Sequence, residues 1–277
     1  CNKNFKKDGS PYNVYSDGLK VFTTIDSRMQ KYAEEAVYQH VARYLQPAFD
    51  KENKPKPSSP YSDKLTPQQI RYILNRSITQ SERWRTMKAA GCTPEEIKEA
   101  FRKKIEMTVF TYHGDIDTLM SPLDSIRYYK GFLRSGFMSM DPKTGAVKAY
   151  VGGLDYPHFM YDMVSLGRRQ VGSTIKPFLY SLAMENGFTP CDYAPNRQRT
   201  YIVGGRPWTP RNVSHARYGQ MVPLKWGLAQ SNNWISAYLM SKLNPNQFVQ
   251  ILHDFGIHNP DIHASMSLCL GPCEVSV

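Results

Sequence analysis

The chain has 277 residues, 41% hydrophobic and 21% charged, enough apolar material for one large domain or two modest ones, which excludes wholesale disorder. The net charge is +11, no apolar run approaches the roughly 20 residues of a membrane span, and no charged-then-apolar leader opens the chain. Five cysteines at irregular spacing (Cys1, Cys92, Cys191, Cys269, Cys273) do not make a disulfide framework and read as buried free thiols, and the histidines show no metal-ligand spacing.

Cys1-Asn2-Lys3-Asn4 is polar and abrupt, which reads as a fragment boundary rather than a lipidated cysteine. Leu19 to Ile25 has the pattern of a strand. Asp26 or Ser27 then caps a helix with one apolar stripe through Met29, Tyr32, Ala33, Ala36, Val37 and His40. Lys51 to Lys64 is rich in Lys, Pro and Ser and reads as an exposed loop. Thr66-Pro67, Thr93-Pro94 and Ser121-Pro122 each place a capping hydroxyl before a first-turn proline, so three structural helices follow. Glu96 completes a capping box with Thr93. Nothing in residues 51–134 suggests chemistry.

The character changes near Gly136. Two short apolar runs flank Asp141-Pro142-Lys143-Thr144-Gly145, a hairpin signal. Residues 1–134 are therefore read as a linker and helical part, and 135–277 as a second domain. Beyond the hairpin come a helix from Ser173 to about Asn186, stopped by Gly187, and a loop from Thr189 to Gln220. Helices then begin near Pro223, Asn233 and Pro245. The positive charge gathers between Leu166 and Arg217, where seven arginines and Lys176 face only Glu185 and Asp192. Such a zone attracts an anionic partner or forms a solvated basic face.

Gly172-Ser173-Thr174-Ile175-Lys176-Pro177 holds the chemistry. Serine and lysine three apart share one helical face. A lysine whose pKa is lowered by desolvation can take the serine proton, which a serine nucleophile needs. The helix N-terminus offers free N–H groups to an oxyanion. About one Ser-x-x-Lys is expected by chance in a chain this long. Here it is the only one, and the only Ser-x-Asn, Ser231-Asn232-Asn233, follows it.

In this order the chain resembles class A penicillin-binding proteins. Arg169-Gln170-Val171-Gly172-Ser173-Thr174-Ile175-Lys176-Pro177-Phe178 is similar to their active-serine motif. Asp141 to Val147 with Val151-Gly152-Gly153 resembles the preceding hairpin. Thr23 to Asp26, Ala33 to Ala36, Trp208 to Asn212 and Leu228 to Asn233 match in order, so the likeness spans nearly the whole chain.

The resemblance implies an α/β (α+β type) fold, an antiparallel sheet flanked by helices of the serine β-lactamase and transpeptidase kind, with the serine helix packed on that sheet. It implies a peptidoglycan D,D-transpeptidase. Ser173 would attack the D-Ala-D-Ala carbonyl of a stem peptide, Lys176 would act as base, Ser231 as proton relay, and Asn233 would hold the substrate amide. A β-lactam would acylate Ser173 instead. No cofactor or metal is implied. The implied setting is the periplasmic face of the inner membrane, in a full-length protein with a membrane anchor and a glycosyltransferase domain, serving cell-wall synthesis and cell shape.

The family's Lys-Thr/Ser-Gly motif should follow Ser231. Lys143-Thr144-Gly145 precedes the serine and sits in a turn, so the fragment is expected to end before the true motif and to be inactive, or nearly so, as it stands. Ile175 stands where the family carries a bulkier apolar residue, a mild departure. A serine β-lactamase places its serine far earlier in the chain, and a β-lactam sensor domain would need a signalling partner. A basic nucleic-acid-binding module would explain the charge, yet no recognition motif is present.

Overall fold

The computed structural model describes residues 4–277, so Cys1 and the readings placed on it lie outside the described residues. The chain divides into two compact units, Cys1–Met160 and Tyr161–Val277.

In the first unit, α1 (Ser27–His40) is capped by the Asp26 carboxylate, which accepts from the Arg28 and Met29 N–H groups. These two backbone donors, Met29 first, hold the Asp26 carboxyl below the usual carboxylate range. A π-helical turn (Val41–Leu45) leads into α2 (Gln46–Asn53), which extends into the segment expected to be loop. Helices α3 (Pro67–Gln80), α4 (Glu82–Ala89), α5 (Pro94–Arg102) and α6 (Pro122–Lys130) follow. The expected hydroxyl–proline entrances open α3, α5 and α6, and Thr66 with Gln69 forms a second capping box beside that of Thr93 with Glu96. Between α5 and α6 an antiparallel hairpin pairs β1 (Ile105–Val109) with β2 (Ile116–Met120), which the sequence pattern does not announce.

The predicted hairpin is present as β3 (Phe137–Met140) and β4 (Val147–Val151), with Lys143-Thr144-Gly145 in its turn. Asp141 Oδ1 accepts from the Lys143 and Thr144 N–H groups there. The hairpin belongs to the first unit rather than opening a second one. Its β4 edge is held by α1, where the Gln30 side chain donates to Tyr150 O at 2.9 Å and accepts from Tyr150 N–H at 2.7 Å. Residues 19–25, expected as a strand, carry no ladder; the segment is tied down by Thr24 Oγ1 and Asp26 N–H donating to the Val147 and Lys148 carbonyls.

The second unit begins with β5 (Arg169–Gln170), a 3-10 turn (Gly172–Ile175) and α7 (Lys176–Glu185). Strands β6 (Tyr193–Pro195), β7 (Tyr201–Val203), β8 (Arg206–Trp208) and β9 (Met221–Pro223) follow, so the predicted loop of 189–220 contains three strands. Helices α8 (Leu224–Ala229), α9 (Asn233–Met240) and α10 (Pro245–Asp254) come next, then a 3-10 turn (Met266–Leu270) and β10 (Glu274–Val275).

The fold is mixed helix and strand, with short antiparallel sheets flanked by helices as expected. Among the described residues these are five two-stranded ladders rather than one broad sheet. Pro195, Pro207 and Pro223 lie inside β6, β8 and β9 and remove the N–H donors that longer ladders would use. The core is consequently helical: Leu179 and Ala183 of α7 meet Ile235, Leu239 and Met240 of α9 and Phe248 and Leu252 of α10, all fully buried. The helix that follows Ser173, α7, thus packs on helices. Of the described cysteines only Cys269 is buried, and Cys191 is exposed, which corrects the expectation of buried thiols throughout.

Candidate active site

Ser173 sits in the 3-10 turn ahead of α7, not in the α-helix itself, and is exposed. Lys176 opens α7 and caps that turn, its N–H donating to the Ser173 carbonyl. The Lys176 side chain runs inward and is 1% exposed. Its Nζ donates to Ser231 O at 2.5 Å, Ser231 Oγ at 3.0 Å and Asn233 Oδ1 at 2.6 Å. Three of the four residues singled out by sequence are therefore one hydrogen-bonded cluster. Ser173 Oγ has no hydrogen-bond partner among the described residues; catalytic hydrogen bonds are often made only once substrate is bound.

Burial of the ammonium pushes the Lys176 pKa down to about 8, against a smaller opposing effect of the Cys269 thiol. The thiol itself is pushed up to about 12 by burial. All three Nζ donors are engaged, the pattern of an ammonium. A proton lost from it frees a lone pair, and the lowered pKa makes that loss accessible near neutrality. What this cluster can do chemically is exchange a proton between an amine and the Ser231 hydroxyl, with an amide placed beside them.

Ser231 holds a left-handed backbone, φ 49°, between α8 and α9. Asn232, 1% exposed, caps α9 by accepting from the Trp234 and Ile235 N–H groups. Asn233 is fixed from outside the motif: its N–H donates to Asn212 Oδ1 at 3.0 Å and its Nδ2 to Arg211 O at 2.7 Å. Pro210 O accepts from Trp234 Nε1 at 3.1 Å. The run Trp208 to Asn212 carried a family likeness but no assigned role; that likeness was the signal, and the run's work is to wall this turn.

The serine turn is braced from the far end of the chain. Val171 N–H donates to Cys273 O at 2.9 Å and Gly172 N–H to Gly271 O at 3.0 Å, beside the β5–β10 ladder. Cys269, 0% exposed, lies on the 3-10 turn behind it. Among the described residues no cluster could hold a metal ion and no helix is long and apolar enough to cross a membrane.

Residues 56–133 match the penicillin-binding protein middle domain and residues 113–266 the penicillin-binding protein transpeptidase domain. Penicillin-binding protein 1A of Neisseria flavescens is 27% identical over 98% of this chain and 36% of its own length. Penicillin-binding protein 1A of Pseudomonas aeruginosa is 30% identical over 52% of this chain and 18% of its own length. The chain therefore spans about a third of the length of the first of these relatives. The crystal structure of penicillin-binding protein 1A from Haemophilus influenzae shares the fold, with a TM-score of 0.57 at 22% identity, over 93% of this chain and 40% of that one.

Proposed function

The chain belongs to the penicillin-binding protein transpeptidase family, and from that premise we propose that it is the part of a peptidoglycan D,D-transpeptidase that supplies the nucleophile, base and proton relay. Ser173 Oγ attacks the carbonyl joining the two terminal D-alanines of a stem peptide. Its proton passes to neutral Lys176. The terminal D-alanine leaves as an amine, protonated through Ser231 Oγ, and an ester to Ser173 remains. An amine of a neighbouring stem peptide then attacks that ester, forms the cross-link and returns the proton to Ser173. Asn233 Nδ2, now bonded to a backbone carbonyl, orients the substrate's peptide amide. A β-lactam carbonyl takes the place of the D-Ala-D-Ala carbonyl, and its ring nitrogen is the leaving group.

The observation that carries this reading is the buried Lys176 ammonium held by both Ser231 and Asn233. In the same reading the chemistry resides within residues 135–277. The full-length protein is anchored in the inner membrane with a glycosyltransferase domain and works on the periplasmic face, where peptidoglycan is built. The exposed arginines near the site suit the carboxylates of stem peptides better than nucleic acid, for which no recognition motif is present.

The test is labelling with a fluorescent penicillin, applied to this chain and to a longer form carrying a downstream Lys-Thr/Ser-Gly segment, each paired with Ser173→Ala. Label is expected on the longer form and lost in its Ser173→Ala variant. A longer form that labels equally without Ser173, or not at all, refutes the assignment.

A further inference from the structure

Among the described residues, two non-glycine residues adopt the left-handed backbone: Arg217 at φ 53° and Ser231 at φ 49°. Such conformations persist when surrounding contacts over-determine them. The two residues lie in different segments, and one side chain joins those segments. Asn196, 0% exposed at the end of β6, donates from Nδ2 to Ala216 O and Arg217 O, both at 2.8 Å. Its Oδ1 accepts from Asn232 Nδ2 at 2.8 Å. Its own backbone closes the same loop: Asn196 N–H donates to Gln220 O at 2.9 Å and Gly219 N–H to Asn196 O at 2.8 Å. Asn232 in turn caps α9 and stands between Ser231 and Asn233, the two residues whose side chains accept from the Lys176 ammonium.

We propose that Asn196 is a positioning residue that locks the Ser231–Asn233 turn against Lys176 by clamping that turn to the 216–220 loop. Only a planar carboxamide of this length does it, since two donors and an acceptor must act at once from a fully buried site. Both Nδ2 donors and Oδ1 of Asn196 are engaged at a fully buried site, so its loss leaves the Ala216 carbonyl and the Asn232 amide without those partners, while Arg217 O keeps only the Gln220 N–H. That the turn serves acyl transfer rests on the function proposed above; the clamp does not.

The clamp has a readout that does not need activity. If Asn196 keeps the turn closed over Lys176, releasing it lets water reach the ammonium, and desolvation is the main reason the lysine titrates near 8. The titratable groups facing Lys176 do not mask this. Cys269 behind it is pushed to about 12, and burial raises the Tyr180 phenol one turn along α7, so both stay neutral through the range.

The experiment follows the Lys176 Cε resonance against pH in 13C-lysine-labelled protein, identified by its loss in Lys176→Met. Asn196→Ala is expected to raise the midpoint by at least about one pH unit, a tenfold gain in proton affinity. Leu252→Ala, a core truncation on α10, is expected to lower stability and leave the midpoint in place. Asn196→Ser, too short to span both turns, gives the same reading should the alanine variant not fold. An unchanged midpoint in the folded Asn196 variant, or an equal rise in Leu252→Ala, overturns the proposal. Loss of penicillin labelling on Ser173→Ala is measured separately, so failure of the transpeptidase reading and failure of the clamp are distinguishable.

Discussion

Gly271→Ala tests whether the serine turn depends on backbone brought in from the end of the chain. Gly271 has φ +65°, and a Cβ added to it would lie 2.2 Å from the Gly172 carbonyl oxygen and 2.7 Å from the Gly172 nitrogen. Both are backbone atoms next to Ser173, so no side chain can swing aside. The left-handed conformation costs an alanine about 1–2 kcal/mol. Separating the two backbones breaks the Gly172–Gly271 hydrogen bond and strains the neighbouring Val171–Cys273 one, at about 1 kcal/mol each. Overpacking adds roughly 1–3 kcal/mol. The expected cost is about 4–7 kcal/mol. Gly145→Ala is the control, because Gly145 has φ +71° but nothing within 4 Å of an added methyl, so only the conformational cost of about 1–2 kcal/mol remains. Native-state hydrogen exchange reads each loss in its own unit, at the Leu239 and Leu252 amides for Gly271→Ala and at Ala149 and Val151 for Gly145→Ala. If the two variants cost the same within about 0.5 kcal/mol, the close approach at Gly172 does not brace the serine turn.

Asn233→Ala removes an acceptor 2.6 Å from Lys176 Nζ and the tie to Arg211 O, and in the longer form carrying the Lys-Thr/Ser-Gly segment penicillin labelling of Ser173 is expected to slow at least about tenfold; an unchanged rate counts against Asn233 as a site residue. The Lys176 pKa, about 8 folded against 10.5 unfolded, makes stability pH-dependent. Below pH 8 both states are protonated and the folded state bears the buried ammonium; between about 8 and 10.5 the unfolded state binds more protons, so stability rises with pH by up to about 3 kcal/mol at ~1.4 kcal/mol per unit. Measured against Lys176→Met, wild type should gain stability between about pH 7 and about pH 10 in urea titrations, the opposing effect of the Cys269 thiol being common to both; parallel curves refute it. Gln46→Leu strips a 6%-exposed side chain of its bonds to Leu133 N–H, Gly131 O and Asp50, and is expected to cost the first unit about 1–3 kcal/mol, read by exchange at the Ala149 amide.

Local signals made much of this chain legible. The hydroxyl–proline entrances predicted α3, α5 and α6 because capping is settled within four residues. Ser-x-x-Lys and Ser-x-Asn were legible as motifs because each lies within one turn; that Lys176 reaches Ser231 and Asn233 is a long-range contact that neither motif fixes by itself. The strand expected at 19–25 failed for the opposite reason: its apolar residues Val21 and Phe22 are exposed, and the segment is held by single bonds from Thr24 and Asp26 rather than by a ladder. The brace behind Ser173 was hidden because it joins Gly172 to Gly271, about a hundred residues apart, through backbone atoms that any sequence carries. The spread of cysteine burial was hidden as well, since Cys269 and Cys191 differ only in their neighbours.

The segment from Thr189 to Gln220 reads in sequence as a basic loop, and charge alone leaves open whether it recruits a partner or merely keeps a surface solvated. Its structural work is carried by amides and carbonyls instead. Asn196, Arg211 O and Asn212 hold Asn232 and Asn233, so the wall of the Lys176 cluster is built from the least charged atoms of the most charged segment. Arg197, Arg199 and Arg206 make no ion pair among the described residues and are exposed, which leaves them free to meet an anion. Holding and attracting are thereby assigned to different groups of one loop. In the longer form carrying the Lys-Thr/Ser-Gly segment, charge reversal at Arg197 or Arg199 should then alter the salt dependence of acylation by an anionic β-lactam while leaving the Lys176 titration where it is, and substitution at Asn196 should do the reverse. Coupling of the two effects in a double-mutant cycle would show that the division is false.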